Sequence, residues 1–325
     1  MATVIVDDHS PLVQYNPPGG WLSEGSSIEY MRTTMSSMVL GSTATFKFNG
    51  TSIAVYGTVV GPNYQTTMDF RVDRILAGFY GPAVTAVNTT TYHQLLWTSD
   101  VLVDGVHTLV ITQNCSIQDR ILFLDYFLYN TTSTSDETVF IDDDNPIVEY
   151  SAGWENLSLN EYFQHTAHVS SELECWVSLT FEGDFVALYG PVTVGSDGNS
   201  FNASVAIDRG SPGPVFSPAQ ELPPGTTTYN QLLFSSLLSP GSHTVVVTNL
   251  DGTDLYVDYF LVRASSPTHA TSASVLPSSV WPSPTVNPMG GSQTGQTTKS
   301  FPVVATVGGS VGDRKNFLIR VEDPS

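Results

Sequence analysis

The chain has 325 residues, too many for one ordinary β-sandwich but suited to two domains of about 130 residues and a tail. Its 31 acidic residues outnumber its 11 basic residues, and the formal net charge of -20 would repel nucleic acid and anionic membranes, so neither is expected as a partner. Charged residues make up only 13% of the chain, against a usual share of about 25%, which is typical of extracellular β-proteins.

The N-terminal segment 1–8 has neither a basic region nor an apolar run. It therefore predicts no cleavable signal peptide. Export, if it occurs, would need another signal.

An internal repeat organises most of the chain. A shift of about 135 residues makes successive blocks coincide in order and spacing, which predicts two copies of one domain. The matched blocks are 6–8 with 141–143, 11–15 with 146–150, 45–50 with 178–183, 55–57 with 188–190, 92–97 with 229–234, 105–110 with 241–246, and 124–128 with 257–261.

These blocks predict β-strands because apolar residues alternate with polar ones, as Phe46 and Phe48 alternate with Thr45 and Lys47. Asn49-Gly50 predicts a hairpin between two such strands. We expect about eight strands per copy. The scarcity of any 3.6-residue period disfavours α/β folds, and an all-β, antiparallel, two-sheet sandwich of jelly-roll type is predicted for each copy.

The predicted boundaries follow from composition. Copy 1 is expected at 1–132, copy 2 at 137–263, and a disordered tail rich in Ser, Thr and Pro at 264–325, because such a tail buries too little apolar area to offset its ordering entropy. An apolar run at 301–311 is well short of the roughly 20 residues of a spanning helix. No transmembrane helix is predicted.

Both copies share a set of aspartates, glycines and aromatic residues, and these residues carry a resemblance to a known group of proteins. The residues are Asp7, Asp8, Tyr15, Trp21, the blocks 48–51, 56–57, 105–107 and 124–126, and their counterparts. In this pattern the chain resembles ectodomains of cell-surface proteins from mushroom-forming fungi, which are built from tandem galactose-binding-like β-sandwiches. The resemblance implies that fold, a stalk, a membrane span that would start near 301–309, and glycan binding by analogy.

Acidic residues at strand ends have two interpretations. Aspartate commonly satisfies turn amides, and the repetition of the acidic clusters in both copies favours that structural role. The alternative is a structural calcium ion between the first and last strands, as in related carbohydrate-binding sandwiches. The pairs to test are Asp8 with Asp125 and Asp143 with Asp258.

Loop aromatics are the predicted ligand contacts. Trp21, Tyr64 and Trp154 could stack on the apolar face of a sugar ring. The alternative, favoured because the tryptophan is repeated, is that Trp21 and Trp154 plug one end of each sandwich.

His107 and His243 recur at equivalent positions, which indicates hydrogen-bonded structural residues rather than catalytic bases. Cys115 and Cys175 are either thiols or an inter-domain disulfide. Six sequons are N-glycosylation candidates and weakly favour a secretory route: Asn49, Asn88, Asn114, Asn130, Asn156 and Asn202.

The sequence thus predicts a non-catalytic extracellular or cell-surface module that recognises glycans or a surface protein through loops at one end of each sandwich. Tandem duplication favours this hypothesis, since two weak sites on one chain gain by effective concentration. A structural or adhesive wall protein is the alternative. A glycoside hydrolase or esterase is the less favoured third reading, and no cofactor is expected apart from the calcium ion considered above.

Overall fold

A computed structural model describes residues 1–61, 66–81, 89–115, 121–134, 137–196, 198, 200–215 and 223–265. These residues form antiparallel strands and two single-turn 3-10 helices, with no α-helix among them. The all-β prediction is confirmed. All but the first two residues of the predicted tail lie outside the described residues.

Among the described residues, the first copy contains twelve strands rather than about eight, and the second contains ten. Those of copy 1 are β1(Ala2–Asp7), β2(Val13–Asn16), β3(Leu22–Glu24), β4(Thr34–Ser37), β5(Thr43–Gly50), β6(Ser52–Val59), β7(Met68–Val72), β8(Ile75–Tyr80), β9(Thr91–Thr98), β10(Gly105–Gln113), β11(Leu122–Leu124) and β12(Tyr126–Thr131), with the 3-10 turn η1(Tyr30–Arg32). Those of copy 2 are β13(Thr138–Asp142), β14(Val148–Tyr150), β15(Glu155–Leu157), β16(Ala167–Ser170), β17(Trp176–Thr193), β18(Ala203–Ile207), β19(Gly213–Pro214), β20(Thr227–Asn249), β21(Leu255–Val257) and β22(Tyr259–Arg263), with η2(Phe163–His165).

Copy 1 is a sandwich of two main layers. One layer has the order β2-β5-β10-β7-β8 and the other contains β1, β12, β6 and β9. The alternation along β5 gives the reason: Phe46 and Phe48 are buried, whereas Lys47 and Asn49 face solvent. One face of each layer is thereby removed from water.

Copy 2 repeats this arrangement with longer strands. β17 and β20 each run through both layers. β17 corresponds to β5 and β6 joined into one strand, and β20 corresponds to β9 and β10 joined in the same way. The pairing of β17 with β20 shifts register between Gly183 and Phe185, where the strand passes from one layer to the other. The layers of copy 2 are therefore continuous at this corner.

The hairpin predicted at Asn49-Gly50 is wrong. β5 pairs with β2 and β10, whereas β6 pairs with β9 and β12, so the chain changes layer here instead of turning back. A Cβ atom at Gly50 would collide with the carbonyl oxygen of Asn130, and one at Gly183 with that of Arg263. The glycine is required by the close approach of the last strand, not by a turn.

The two copies join edge to edge. β1 pairs with β13 in antiparallel fashion, with Val4 opposite Val139, and one sheet runs across the junction. Behind this pair lies a buried cluster in which each residue has its counterpart: Ile5 with Phe140, Tyr30 with Phe163, Tyr56 with Tyr189, Tyr126 with Tyr259, and Leu128 with Leu261. The same surface of each copy is used, as in an isologous dimer with a two-fold axis.

Two further predictions concern the whole chain. Cys115 and Cys175 are both buried and free, so the inter-domain disulfide does not form. No helix among the described residues has the length and apolar character needed to cross a membrane.

Candidate functional site

An open cleft of about 200 Å³ lies where η1 of copy 1 meets copy 2. Its floor is buried, since Tyr259 and Asn230 are 0% and 5% exposed. The lining residues are Met31, Arg32, Tyr189, Asn230, Leu232 and Tyr259. Another cavity, inside copy 1, has only about 10 Å³, room for at most one water molecule.

A bulge in β20 places Asn230 in the junction. The register of β17 against β20 shifts between Gly190 and Val192, opposite Asn230, and Asn230 has a left-handed backbone with φ of 52°. The Tyr259 hydroxyl donates to Asn230 Oδ1 at 2.6 Å, and Asn230 Nδ2 donates to the Glu29 carbonyl at 2.7 Å. Asn230 thus ties copy 2 to the segment that precedes η1.

The turn η1 presents Arg32 at the rim of the cleft. Met31 and Arg32 have φ of 49° and 64°, and the amides of Arg32 and Thr33 donate to the carbonyls of Glu29 and Tyr30. Arg32 Nη2 also donates to Gln231 Oε1 at 3.3 Å. These backbone hydrogen bonds therefore fix the segment from which the Arg32 side chain extends.

The position equivalent to the cleft, across the two-fold axis, is formed by different side chains. Gln164 and His165 of η2 have the same left-handed backbone, with φ of 49° and 65°. The Tyr56 hydroxyl donates to Gln164 Oε1 at 3.1 Å, and His165 Nε2 lies 3.4 Å from Gln94 Nε2. Met31 has no polar atom with which to make the matching bond to Tyr189.

Burial shifts the pKa values of four ionisable groups at the junction in the direction that favours their neutral forms. Burial raises the pKa of Tyr259 well above its ordinary value, and burial raises that of Tyr189 although the charge of Arg32 opposes the shift. On the other side, burial lowers the pKa of His93, the counterpart of Asn230, to about 3. Burial also lowers the pKa of His165.

The residues predicted to bind calcium lie in two buried acidic clusters. Asp8 Oδ1 accepts one hydrogen bond from the Thr33 hydroxyl, and its other oxygen lies 2.7 Å from His9 Nδ1. Burial, aided by the charge of Asp7, raises the pKa of Asp8 to about 8, which favours the protonated carboxyl. Burial raises the pKa of Asp125 well above its ordinary value too.

The second copy repeats this cluster with a histidine from another strand. Asp143 accepts from Thr166 at 2.7 Å and meets His168 Nδ1 at 2.5 Å, while Asp258 accepts from the Phe163 amide. Among the described residues, the only three that could each offer a ligand atom to one ion are Asp7, Asp8 and His9. A structural calcium ion at the predicted pairs stays a prediction.

The predicted aromatic contacts are located as follows. Trp21 is only 8% exposed within the core of copy 1, and its indole N–H donates to the Asn16 carbonyl. Trp154 is more exposed and packs against the core of copy 2. Tyr64 lies outside the described residues. Burial leaves Trp21 little ring surface for a sugar, as expected of a plug.

His107 and His243 each use both ring nitrogens. In His107, Nδ1 lies 2.7 Å from Asp73 and Nε2 lies 2.7 Å from the Val103 carbonyl. In His243, Nδ1 lies 2.6 Å from Asp208 and Nε2 lies 2.7 Å from the Ser239 carbonyl. Carboxylates and carbonyls only accept, so this arrangement favours the ring that carries a proton on each nitrogen. The hydrogen bond to the aspartate is the main cause that raises the pKa of each histidine.

The sequon asparagines differ in accessibility. Four are exposed, namely Asn49, Asn114, Asn156 and Asn202. Asn130 is half-buried and hydrogen-bonds Ser52 and Thr3, and Asn88 lies outside the described residues.

The junction residues were not identified from the sequence. The available signal was the set of positions at which the repeat breaks its own pattern: Met31 against Gln164, Arg32 against His165, and His93 against Asn230. The pairing of β1 with β13 brings Met31 and Arg32 beside Asn230 on one side of the axis, and His165 beside Gln94 on the other.

No family model matches the chain, and no curated protein matches it. Among solved structures, a Paenibacillus xanthan lyase is 13% identical over 75% of this chain and 25% of its own, with a TM-score of 0.30. A two-domain esterase active on acetylated mannans is 10% identical over 40% of this chain and 37% of its own, at a TM-score of 0.32. A GH87 alpha-1,3-glucanase catalytic domain is 15% identical over 41% and 29%, at 0.27. The chain thus spans between 25% and 37% of the lengths of these proteins, and it is itself an all-β sandwich protein.

Proposed function

We propose that this protein is a non-catalytic extracellular or cell-surface module that binds a glycan in the cleft between its two copies. The observation that carries the proposal is the cleft itself, which combines a buried polar floor, an aromatic wall and an aliphatic wall. Binding sites for small ligands are typically apolar concavities with a few fixed polar groups.

The size of the cleft fits a single sugar ring. Its volume of about 200 Å³ exceeds the cavity of about 150 Å³ that admits a benzene ring in another protein. Tyr189 offers an aromatic edge and hydroxyl, and Leu232, 40% exposed, offers an apolar surface for the C–H face of the ring. A terminal residue of a glycan would enter, and the rest of the chain would lie outside.

The extracellular location is part of the same proposal. The low charged content and the four exposed sequon asparagines support it. The resemblance to tandem ectodomains of mushroom-forming fungi agrees with it.

A glycan array probed with the full chain tests the proposal. Leu232→Glu places a charge on the cleft wall and should reduce any signal at least ten-fold, whereas Leu237→Glu, at a 73% exposed position of the same strand, should leave it unchanged. An array without signal, or equal signals from both variants, would contradict glycan binding in this cleft.

One observation favours the alternative of an adhesive protein. The edge strand β8 exposes Ile75 and Phe79 by 73% and 70%, whereas the corresponding edge of copy 2 is the two-residue strand β19 with Pro214. Apolar edge strands invite pairing with another chain. Concentration-dependent oligomers in sedimentation velocity, abolished by Phe79→Lys, would support this function.

A further inference from the structure

The charge of the cleft differs from that of the chain. The whole chain carries 31 acidic and 11 basic residues, yet the only charged side chain that lines the cleft is Arg32. The other ionisable groups of the lining, Tyr189 and Tyr259, are tyrosines, which are neutral at pH 7, and burial raises the pKa of each further. The cleft is thus a local cationic site on an acidic protein.

Arg32 has no acidic partner among the described residues. Its side chain donates one hydrogen bond, at 3.3 Å, to the neutral amide oxygen of Gln231. A guanidinium carries five N–H donors in a planar fork, so most of its donors remain for a ligand. The single acceptor holds the fork at the rim without neutralising its charge.

Asn230, on the floor of the cleft, is neutral and already hydrogen-bonded within the protein. Asn230 has its Oδ1 occupied by the Tyr259 hydroxyl and one amide hydrogen occupied by the Glu29 carbonyl. These bonds fix the floor before a ligand arrives, and preorganised sites lose less entropy on binding.

The counterpart across the two-fold axis lacks these properties. His165 occupies the position of Arg32, and burial lowers its pKa, which favours the uncharged ring. Gln164 engages Tyr56 where Met31 leaves Tyr189 without an equivalent bond. Among the described residues, the cleft with an arginine at its rim therefore has no equivalent at the counterpart position.

From this geometry we propose that the cleft selects a sugar ring that carries a carboxylate, with the Arg32 guanidinium pairing the carboxylate and Leu232 and Tyr189 contacting the ring. The inference rests on the proposed function. A planar guanidinium matches a carboxylate with two parallel hydrogen bonds, and one cation balances one anion. Arg32 is exposed at the rim, so the two parallel hydrogen bonds, more than burial, would have to supply the preference for a carboxylate.

The test is isothermal titration of the full chain with methyl β-glucuronide, its neutral amide, methyl β-glucoside and a glucoside 6-sulfate. We expect the glucuronide to bind at least about ten-fold more tightly than the amide and the glucoside. Arg32→Gln should remove this preference while retaining weak binding of the neutral sugars. Arg71→Gln removes the same charge from an exposed position on β7 and should change nothing.

The outcomes separate the two proposals. Equal affinity for the glucuronide and the glucoside, or a preference that survives in Arg32→Gln, overturns the carboxylate inference and leaves glycan binding standing. Tighter binding of the sulfate than of the glucuronide overturns it as well. No binding of any of the four probes, together with an empty glycan array, overturns both proposals.

Discussion

Val4 of β1 lies directly opposite Val139 of β13, its own counterpart in the repeat. When equivalent residues pair in an antiparallel ladder, the local two-fold axis passes between them, so each copy presents the same surface to the other. The two copies are therefore arranged like the subunits of a dimer, and a buried residue at the axis contributes to the stability of both copies.

Phe163→Ala tests this dependence. Phe163 is 0% exposed at the junction, so its truncation should lower the free energy of unfolding by about 3 to 5 kcal/mol and leave the copies to unfold separately. Its ring lies within 6.0 Å, centroid to centroid, of those of Tyr30, His93, Tyr126, Phe140 and Tyr259.

Differential scanning calorimetry distinguishes the effects. The natural chain should unfold in one transition and Phe163→Ala in two. Leu179→Ala, at a 0% exposed position within the core of copy 2, should lower stability without removing contacts across the junction. A single, unshifted transition for Phe163→Ala would refute the coupling.

The corner glycines provide a second prediction. A side chain at Gly50 meets the carbonyl oxygen of Asn130, a backbone atom that cannot rotate away. Gly50→Ala should destabilise the chain by about 1 to 3 kcal/mol in urea unfolding. Gly213→Ala is the control, since nothing lies within 4 Å of its added methyl group. Equal midpoints for the two variants would argue against the close approach.

The histidine pairs predict a pH dependence. Because Asp73 raises the pKa of His107, the pair should stabilise the fold fully below the ordinary histidine pKa of about 6.5 and lose this contribution as pH rises through the raised value. On the acidic side, the pKa of Asp73 is lowered by His107, so its contribution is lost as pH falls through that lowered value. The pair is partly exposed, and about 1 kcal/mol or less is expected.

An NMR titration of the His107 ring checks the sign. Asp73→Asn keeps an acceptor but removes the charge, and it should move the pKa of His107 back towards about 6.5. Glu149→Gln, in copy 2, removes a distant charge and should leave the titration unaltered. A ring that titrates at the same pH in Asp73→Asn would show that the aspartate does not hold the proton.

The calcium prediction has a direct test. If Asp8 and Asp125 bind the ion, calcium must displace the proton that burial keeps on Asp8, so binding should release protons and strengthen as pH rises. Calcium at one hundred times its Kd would then add about 2.7 kcal/mol of stability, and Asp8→Asn would abolish the gain. An unchanged Tm with calcium or with chelator, and no heat in titration calorimetry, would reject the prediction.

The class of fold was predictable from the sequence because strand alternation and the repeat are linear patterns. Phe46 and Phe48 reveal their buried face without any knowledge of the partner strand. Asn49-Gly50 misled because a turn-forming dipeptide does not specify which strands pair, and the carbonyl of Asn130 that requires the glycine is 80 residues away.

The cleft was not predictable for the same physical reason. Arg32 meets Asn230 and Tyr189 only through a junction whose backbone pairing is the single contact of Val4 with Val139, and no side-chain pattern marks that contact. Positions where the two copies differ indicate where symmetry is broken. They do not indicate that those positions share a cavity.

Met31→Gln tests whether the broken symmetry makes the cleft. In copy 2, Gln164 tolerates the same left-handed backbone and accepts the hydrogen bond of Tyr56, so glutamine at position 31 should bond Tyr189 and fill the cleft. We expect sugar affinity to fall at least ten-fold while the free energy of unfolding rises by about 0.5 to 1.5 kcal/mol from the added hydrogen bond. Met31→Leu keeps an apolar side chain and should retain binding, because it cannot reach the hydroxyl with a polar atom. If Met31→Gln gained stability and still bound the sugar as tightly as the natural chain does, the sugar would have to bind elsewhere. The gain in stability would show that the new hydrogen bond had formed, and that bond closes the cleft.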